Sequence, residues 1–96
     1  MYEVKEAPNL FYIGDTLETK VAYLSYSVEK MILTILHTEV TESLTGQGIA
    51  GKLVDYTVEF ARKNDLLIVS VCSYASARFA RKPEYNDVNF SMVSNK

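Results

Sequence analysis

Ser43-Leu44-Thr45-Gly46-Gln47-Gly48-Ile49-Ala50-Gly51-Lys52-Leu53 divides this chain into two kinds of patterning. Before it runs the apolar, β-branched segment Met31 to Val40; after it the apolar spacing becomes helical. Three glycines in six residues, Gly46, Gly48 and Gly51, remove side chains where backbone N–H groups converge. A glycine loop between a strand and a helix start is a natural anion cradle, because the first helical turn has unpaired donors and a positive dipole end. A phosphate is the ligand class to look for.

Downstream, Gly48 to Lys63 predicts a helix. Ile49, Leu53, Tyr56 and Phe60 form one apolar ridge, Ala50, Val54, Val58 and Ala61 its neighbour, and Lys52, Asp55, Glu59 and Arg62 the polar stripe. Asn64-Asp65 is the stop, with Asn suited to a left-handed cap. Leu66 to Val71 reads as a short buried parallel strand, so the two strands and the helix between them form a right-handed βαβ unit. Ser73 is the expected cap of a second helix through Arg81, packed through Ala75, Ala77, Phe79 and Ala80 and ended by Pro83. The tail from Glu84 to Lys96 is weakly patterned, with an edge strand expected at Asn89 to Val93 and fraying at the last residues.

Upstream, Tyr2 to Lys5 and Asn9 to Ile13 read as short strands separated by Pro8. After the Gly14-Asp15-Thr16 turn, Thr19 to Val28 alternates, with Ala22, Leu24, Tyr26 and Val28 on one face and Val21, Tyr23 and Ser25 on the other. Glu29-Lys30 is the expected hairpin connection into Met31–Val40. There Leu33, Ile35 and His37 share one face, and Ile32, Thr34, Leu36 and Val40 the other. Both faces are apolar up to Leu36, which predicts a central strand covered on both sides. The fold class is α+β: a mixed sheet of antiparallel N-terminal strands followed by a β-α-β-α unit.

The 96 residues suit one domain spanning 1–96, with 48% apolar and 23% charged residues. A formal charge of -2 supplies no basic field for nucleic acid, and the single cysteine allows neither an internal disulfide nor a multi-cysteine metal site. No apolar run approaches ~18 residues and no signal-peptide order opens the chain, so no membrane partner, no metal and a cytoplasmic location are expected. A monomer is expected ahead of an oligomer.

The glycines satisfy three phosphate motifs at once. Gly46-x-Gly48-x-x-Gly51 fits the dinucleotide fingerprint, but that site follows the first strand of a doubly wound sheet and takes an acid about 20 positions on. Here several strands precede it, and Ser70-Val71-Cys72-Ser73 carries no acid. Gly46-x-x-x-x-Gly51-Lys52 nearly completes a P-loop, but Leu53 stands where a magnesium-binding hydroxyl is required. The third pattern is the pyrophosphate loop of the GNAT acetyltransferases, Arg/Gln-x-x-Gly-x-Gly/Ala between a strand and a long helix. Thr45-Gly46-Gln47-Gly48-Ile49-Ala50 matches it with Thr45 in place of Arg or Gln.

His37-Thr38-Glu39-Val40, the Gly-Gln-Gly-Ile-Ala-Gly-Lys run, the strand ending in Cys72 and Lys82-Pro83-Glu84-Tyr85 occur in the order and spacing of the small single-domain GNAT-like proteins. The chain resembles them over nearly its whole length. The resemblance implies a minimal GNAT fold, with acetyl-CoA as cosubstrate. Its pantetheine arm would lie along Glu39, Val40 and Thr41, and its pyrophosphate on the amides of Gly46, Gln47, Gly48, Ile49, Ala50 and Gly51, assisted by Lys52. The thioester would then point toward Cys72 and Ser73, while Arg78, with Arg81 and Lys82, reads either as an exposed basic face or as a contact for the 3′-phosphate.

Cys72 reads either as a small buried hydrophobe or, just before a helix start, as a thiol with a depressed pKa that accepts the acetyl group. His37, the lone histidine, is either a hydrogen-bonded strand residue or a base toward Cys72 or an incoming amine; Glu39 and Glu42 are alternative bases. Larger GNAT enzymes use a tyrosine of the last helix to protonate the leaving thiolate. The comparable region is Ala77-Arg78-Phe79-Ala80, where Phe79 has no proton to give, and neither Tyr74 nor Tyr85 is a secure substitute. The chain also lacks the helices that shape the acceptor pocket in larger members, so the site is open to a macromolecular acceptor or is completed by a partner. The expected function is N-acetyl transfer from acetyl-CoA to an amine or protein acceptor, either directly or through a Cys72 thioester. The alternative is a non-catalytic CoA-binding module.

Overall fold

A computed structural model describes residues 3–93 of the chain. Five strands form one sheet in sequence order: β1 (Lys5–Ala7), β2 (Leu10–Ile13), β3 (Ala22–Glu29), β4 (Ile32–Val40) and β5 (Leu67–Ser70). β1 through β4 are antiparallel, and β4 and β5 are parallel. Pro8 and Asn9 make the β1–β2 turn, Ala7 pairing with Leu10 across it and Asn9 taking a φ of 62°. The first strand therefore begins at Lys5 rather than spanning Tyr2 to Lys5; Tyr2 lies outside the described residues. Gly14 must be glycine, since a Cβ there would lie 2.6 Å from Lys20 Cα.

The β3–β4 hairpin turns on Lys30 and Met31, both with positive φ, one residue later than expected. Two left-handed residues give the turn the twist that its strands need. Farther along, the pairing slips: Ser25 faces His37, yet Tyr26 faces Ile35. Leu36 is the extra residue of a β-bulge. A bulge reverses the alternation beyond it, so Thr38 and Val40 join Leu33 and Ile35 on the core side opposite Leu24 and Ala22. His37 and Glu39 turn to the other face. The expected grouping of Leu33, Ile35 and His37 thus fails at its last member, and that of Ile32, Thr34, Leu36 and Val40 fails at Val40. Nor is β4 covered on both sides: Leu36 is 45% exposed.

The β4–β5 crossover is α1 (Ile49–Lys63), with Gly48 as its N-cap and Asn64 as its C-cap. The left-handed residue at its end is Asp65, φ 58°, while Asn64 closes the last turn through Nδ2 to Phe60 O at 2.8 Å. Leu53, Val54, Val58 and Ala61 are buried against the sheet. Tyr56 and Phe60 are only partly buried and set their rings edge-on to Phe11, at 4.9 and 5.1 Å. Thr57 is buried too, its hydroxyl satisfied by Leu53 O at 2.9 Å. α2 (Ser73–Arg81) buries Ala75 and Phe79 but leaves Ala77 and Ala80 exposed. Its N-cap is Cys72; the expected cap, Ser73, is its first helical residue. Where an edge strand was expected, only Asn89 bridges to Ile68, and α3 (Phe90–Val93) follows. Fraying of the last residues was expected at positions that lie outside the described residues.

Candidate functional site

β4 ends at Val40 and leads through a 3-10 turn at Glu42–Leu44 into the glycine loop. Thr45 builds this turn, donating both its N–H (3.2 Å) and its hydroxyl (2.9 Å) to Glu42 O. Gly46 and Gly48 have φ of 84° and 75°, and a Cβ on either would meet no atom within 4 Å. Glycine is required there by conformation, and the space beside it stays open. Helical bonding begins only at Lys52 N–H to Gly48 O, 3.0 Å. The amides of Ile49, Ala50 and Gly51 precede that bond, and Gly48 has no side chain to cap them. No acidic residue occupies the first turn. A pocket of about 340 Å³ runs from Val40 past Gly46, Gly48 and Ile49 to Tyr74 of α2.

Gly51 differs from the other two. It is buried in α1, and a Cβ there would lie 2.9 Å from the Arg78 guanidinium. It is glycine so that α2 can approach.

The pocket opens beside a gap between β4 and β5. Their pairing ends at Ile35–Ser70, with Val71 N–H to Ile35 O as a last bond at 3.0 Å, whereas β4 continues to Val40. Thr41 N–H is taken by Val21 O at 2.8 Å, so strand alternation turns the backbone of Thr38 and Val40 toward the gap. Cys72 enters it, Sγ lying 3.5 Å from Thr38 Oγ1. Ser70 holds the Cys72 backbone at both ends, its Oγ accepting from Cys72 N–H at 3.2 Å and donating to Cys72 O at 2.9 Å. Ser76 braces Ser70 in turn, its hydroxyl 3.3 Å from Ser70 O. No capping bond of full hydrogen-bond geometry forms at Sγ, yet its surroundings favour the thiolate. Burial raises the Cys72 pKa, but the Ala75 amide, the Thr38 hydroxyl and the amides of Tyr74 and Thr38 together bring it below the ordinary value.

The sequence pattern of the GCN5-related N-acetyl-transferase family matches residues 10–88. The chain belongs to this family. Among solved structures, the chain is similar to a GCN5-like protein from Staphylococcus aureus assigned as an N-acetyltransferase: 39% identity, TM-score 0.77, over 91% of this chain and 86% of that one. A ribosomal-protein-alanine N-acetyltransferase from Brucella melitensis biovar Abortus 2308 shares the fold at 15% identity and a TM-score of 0.54, over 79% of this chain and 64% of that one. No curated protein matches the sequence. The mixed sheet, the glycine loop and the divergent strands are thus those of a GCN5-related fold, as the sequence resemblance implied.

Within this GCN5-related fold, not every expected residue comes together. His37 lies on the face of β4 away from Thr38 and Cys72, with its side chain 57% exposed. There its Nε2 is 3.4 Å from Glu39 Oε1, which also accepts the Tyr23 hydroxyl at 3.1 Å. Burial, and then the Glu39 carboxylate, raise the Tyr23 pKa. His37 is therefore no base toward Cys72. Its replacement by asparagine is expected to leave the alkylation rate of Cys72 by iodoacetamide within about twofold of wild type, because thiolate content follows the sulfur's own neighbours.

Arg78 lies across Gly51, its Nη2 3.2 Å from Asp55 Oδ1 and its Nε donating to Tyr85 Oη at 3.0 Å. Tyr85 donates to Asp55 in turn. Burial and the Asp55 carboxylate push the Tyr85 pKa up to about 12, and its hydroxyl, held by Asp55 of α1 and Arg78 of α2, clamps the two helices together. Tyr85→Phe is expected to cost ~1 kcal/mol, about 4–8 °C in Tm for a chain of this size, read by thermal melting. Lys52 and Ser73 are exposed, Lys52 within the first turn of α1 and Ser73 opening α2. Among the described residues no cluster of three or more His, Cys, Asp or Glu is placed to hold a metal, and no helix is long and apolar enough to cross a membrane.

Thr38 and Ser70 border Cys72 yet carried no signal as site residues, and Tyr74, weighed only as a proton donor, lines the pocket. Thr38 stood beside the more conspicuous His37, and nothing local announced the bulge that exchanges them.

Proposed function

We propose that this protein binds acetyl-CoA at the glycine loop and transfers the acetyl group to an amine by way of Cys72. The observation that carries the proposal is the open cradle at Gly46 and Gly48, in a pocket that runs from Val40 at the end of β4 to Tyr74, two residues beyond Cys72. Its donor set suits a pyrophosphate: helix-start amides aimed outward, space where two Cβ atoms would otherwise stand, no carboxylate in the first turn, and Lys52 beside it.

In this proposal the amides of Gly46 through Gly51 hold the pyrophosphate. The backbone along Glu39, Val40 and Thr41, chiefly the gap-facing groups of Val40, holds the pantetheine amides. Thr45 shapes the turn, Ser73 and Tyr74 flank the thioester, and Arg78 acts by positioning α2 against α1. Cys72 Sγ, as thiolate, bonds to the acetyl carbon while the carbon–sulfur bond to CoA breaks; CoA leaves as a thiolate and takes a proton from water. The incoming ammonium loses a proton to water, because His37 lies on the face of β4 opposite the sulfur. The neutral amine then bonds to the acetyl carbon, the bond to Sγ breaks, and the thiolate is restored as the amide nitrogen loses its remaining proton to water. This route needs no tyrosine proton donor, because Cys72 and CoA both leave as thiolates.

Titration with acetyl-CoA, followed by ¹⁵N–¹H spectra, is expected to shift the amides from Gly46 to Lys52. Intact-mass measurement is expected to show one acetyl group on Cys72. Without amide shifts the proposal fails outright. Shifts with neither adduct nor CoA release would leave a CoA-binding module.

A further inference from the structure

Thr38 lies in the His37-Thr38-Glu39-Val40 segment, where strand alternation from Leu33 and Ile35 would turn it away from the core. The bulge at Leu36 brings it round: Leu24 pairs with Thr38, and His37 pairs with Ser25 on the opposite face. Thr38 Oγ1 then lies 3.5 Å from Cys72 Sγ across the gap where β4 and β5 have parted. We infer that Thr38 is a positioning residue of this site: its hydroxyl and amide hold the Cys72 sulfur in the gap as an acceptor-only thiolate, and the bulge in β4 is the device that turns it there. The use made of this thiol rests on the acetyl-transfer proposal; its placement by Thr38 does not.

The groups around the sulfur sort by element. From α2 come the amides of Ala75 and Tyr74, and from β4 the hydroxyl and amide of Thr38. β5 contributes Ser70, which bonds the backbone of Cys72 and not its sulfur. Among charged and titratable neighbours, His37 and Glu39 face away across β4, Arg78 is tied to Asp55, and the Tyr74 side chain is 37% exposed. No charged side chain contributes to the shift at Cys72, so dipoles alone oppose the cost of burial. A neutral thiol and a hydroxyl can exchange donor roles, but a thiolate has no proton to give, and Thr38 must then donate. Of these dipoles, the hydroxyl of Thr38 is the one that a substitution can delete with little change of shape.

The test measures the alkylation rate of Cys72 by iodoacetamide from pH 5 to 10, without acetyl-CoA, in the full chain and in Thr38→Val, Thr38→Ala and Thr38→Ser. The hydroxyl-free variants are expected to titrate at higher pH and to react about three- to tenfold more slowly at pH 7, since a tenfold loss of thiolate accompanies each unit of upward shift. Thr38→Ser is expected to restore both midpoint and rate. If Thr38→Val fails to fold, by melting and amide dispersion, the comparison of alanine with serine carries the test. A wild-type midpoint in the hydroxyl-free variants overturns the inference, as does a serine variant that behaves like alanine. A displaced midpoint together with an unacetylated Cys72 would sink the covalent route and leave the role of Thr38 standing.

Discussion

Cys72→Ala is expected to lower the release of CoA from acetyl-CoA, measured with an amine present, by at least about a hundredfold, or ~2.7 kcal/mol of transition-state stabilisation. The same substitution is expected to leave acetyl-CoA affinity within about twofold. The two effects separate because different parts of the site supply them. The cradle consists of backbone amides from Gly46 onward, and none of them depends on the sulfur. The backbone of Cys72 is held by Ser70, so α2 keeps its start when the side chain is truncated. The variant lacks a nucleophile and little else. Undiminished release by Cys72→Ala would mean that the amine attacks the thioester of CoA directly, and the acetyl-enzyme step would have to be abandoned.

The second large effect belongs to the cradle. Gly48→Ala places a methyl group where nothing stands within 4 Å and forces an L-residue to hold a φ of 75°. The backbone term costs about 1–2 kcal/mol, about 4–16 °C in Tm. The methyl group enters the space assigned to the pyrophosphate, and we expect acetyl-CoA affinity to drop at least about tenfold by calorimetry. Gly51→Ala is the matched control. Its added Cβ meets the Arg78 guanidinium inside the contact between α1 and α2, so stability should respond while affinity stays within about twofold. Equal losses of affinity in both variants would show that helix packing, not the open cradle, governs binding.

Much of the fold was legible from local spacing. The helix at 49–63 and the flanking parallel strands announce themselves through runs long enough for a period to emerge. Gly46 and Gly48 could be read as the cradle because their need for positive φ is a property of the residue itself. Ser73 was the natural helix cap by residue preference, yet Cys72 takes the position because Ser70, two residues earlier, fastens its backbone. Gly51 looked like one more loop glycine, and Arg78 like a ligand for phosphate. Each is instead half of a contact between helices 23–30 positions apart in the chain, closed by Asp55 and Tyr85.

The sequence by itself determined the order of elements through the second helix, the glycine loop between strand and helix, the single thiol and the GNAT resemblance. Each of these depends on the intrinsic preferences of adjacent residues. The tertiary structure alone decided which neighbour Cys72 receives. That choice was made by the slip in pairing between Ser25 and Tyr26, which leaves Leu36 unmatched, sends His37 outward and brings Thr38 in. A one-residue slip inverts every side chain beyond it, and it arises from pairing between two strands, so no period within either strand could disclose it.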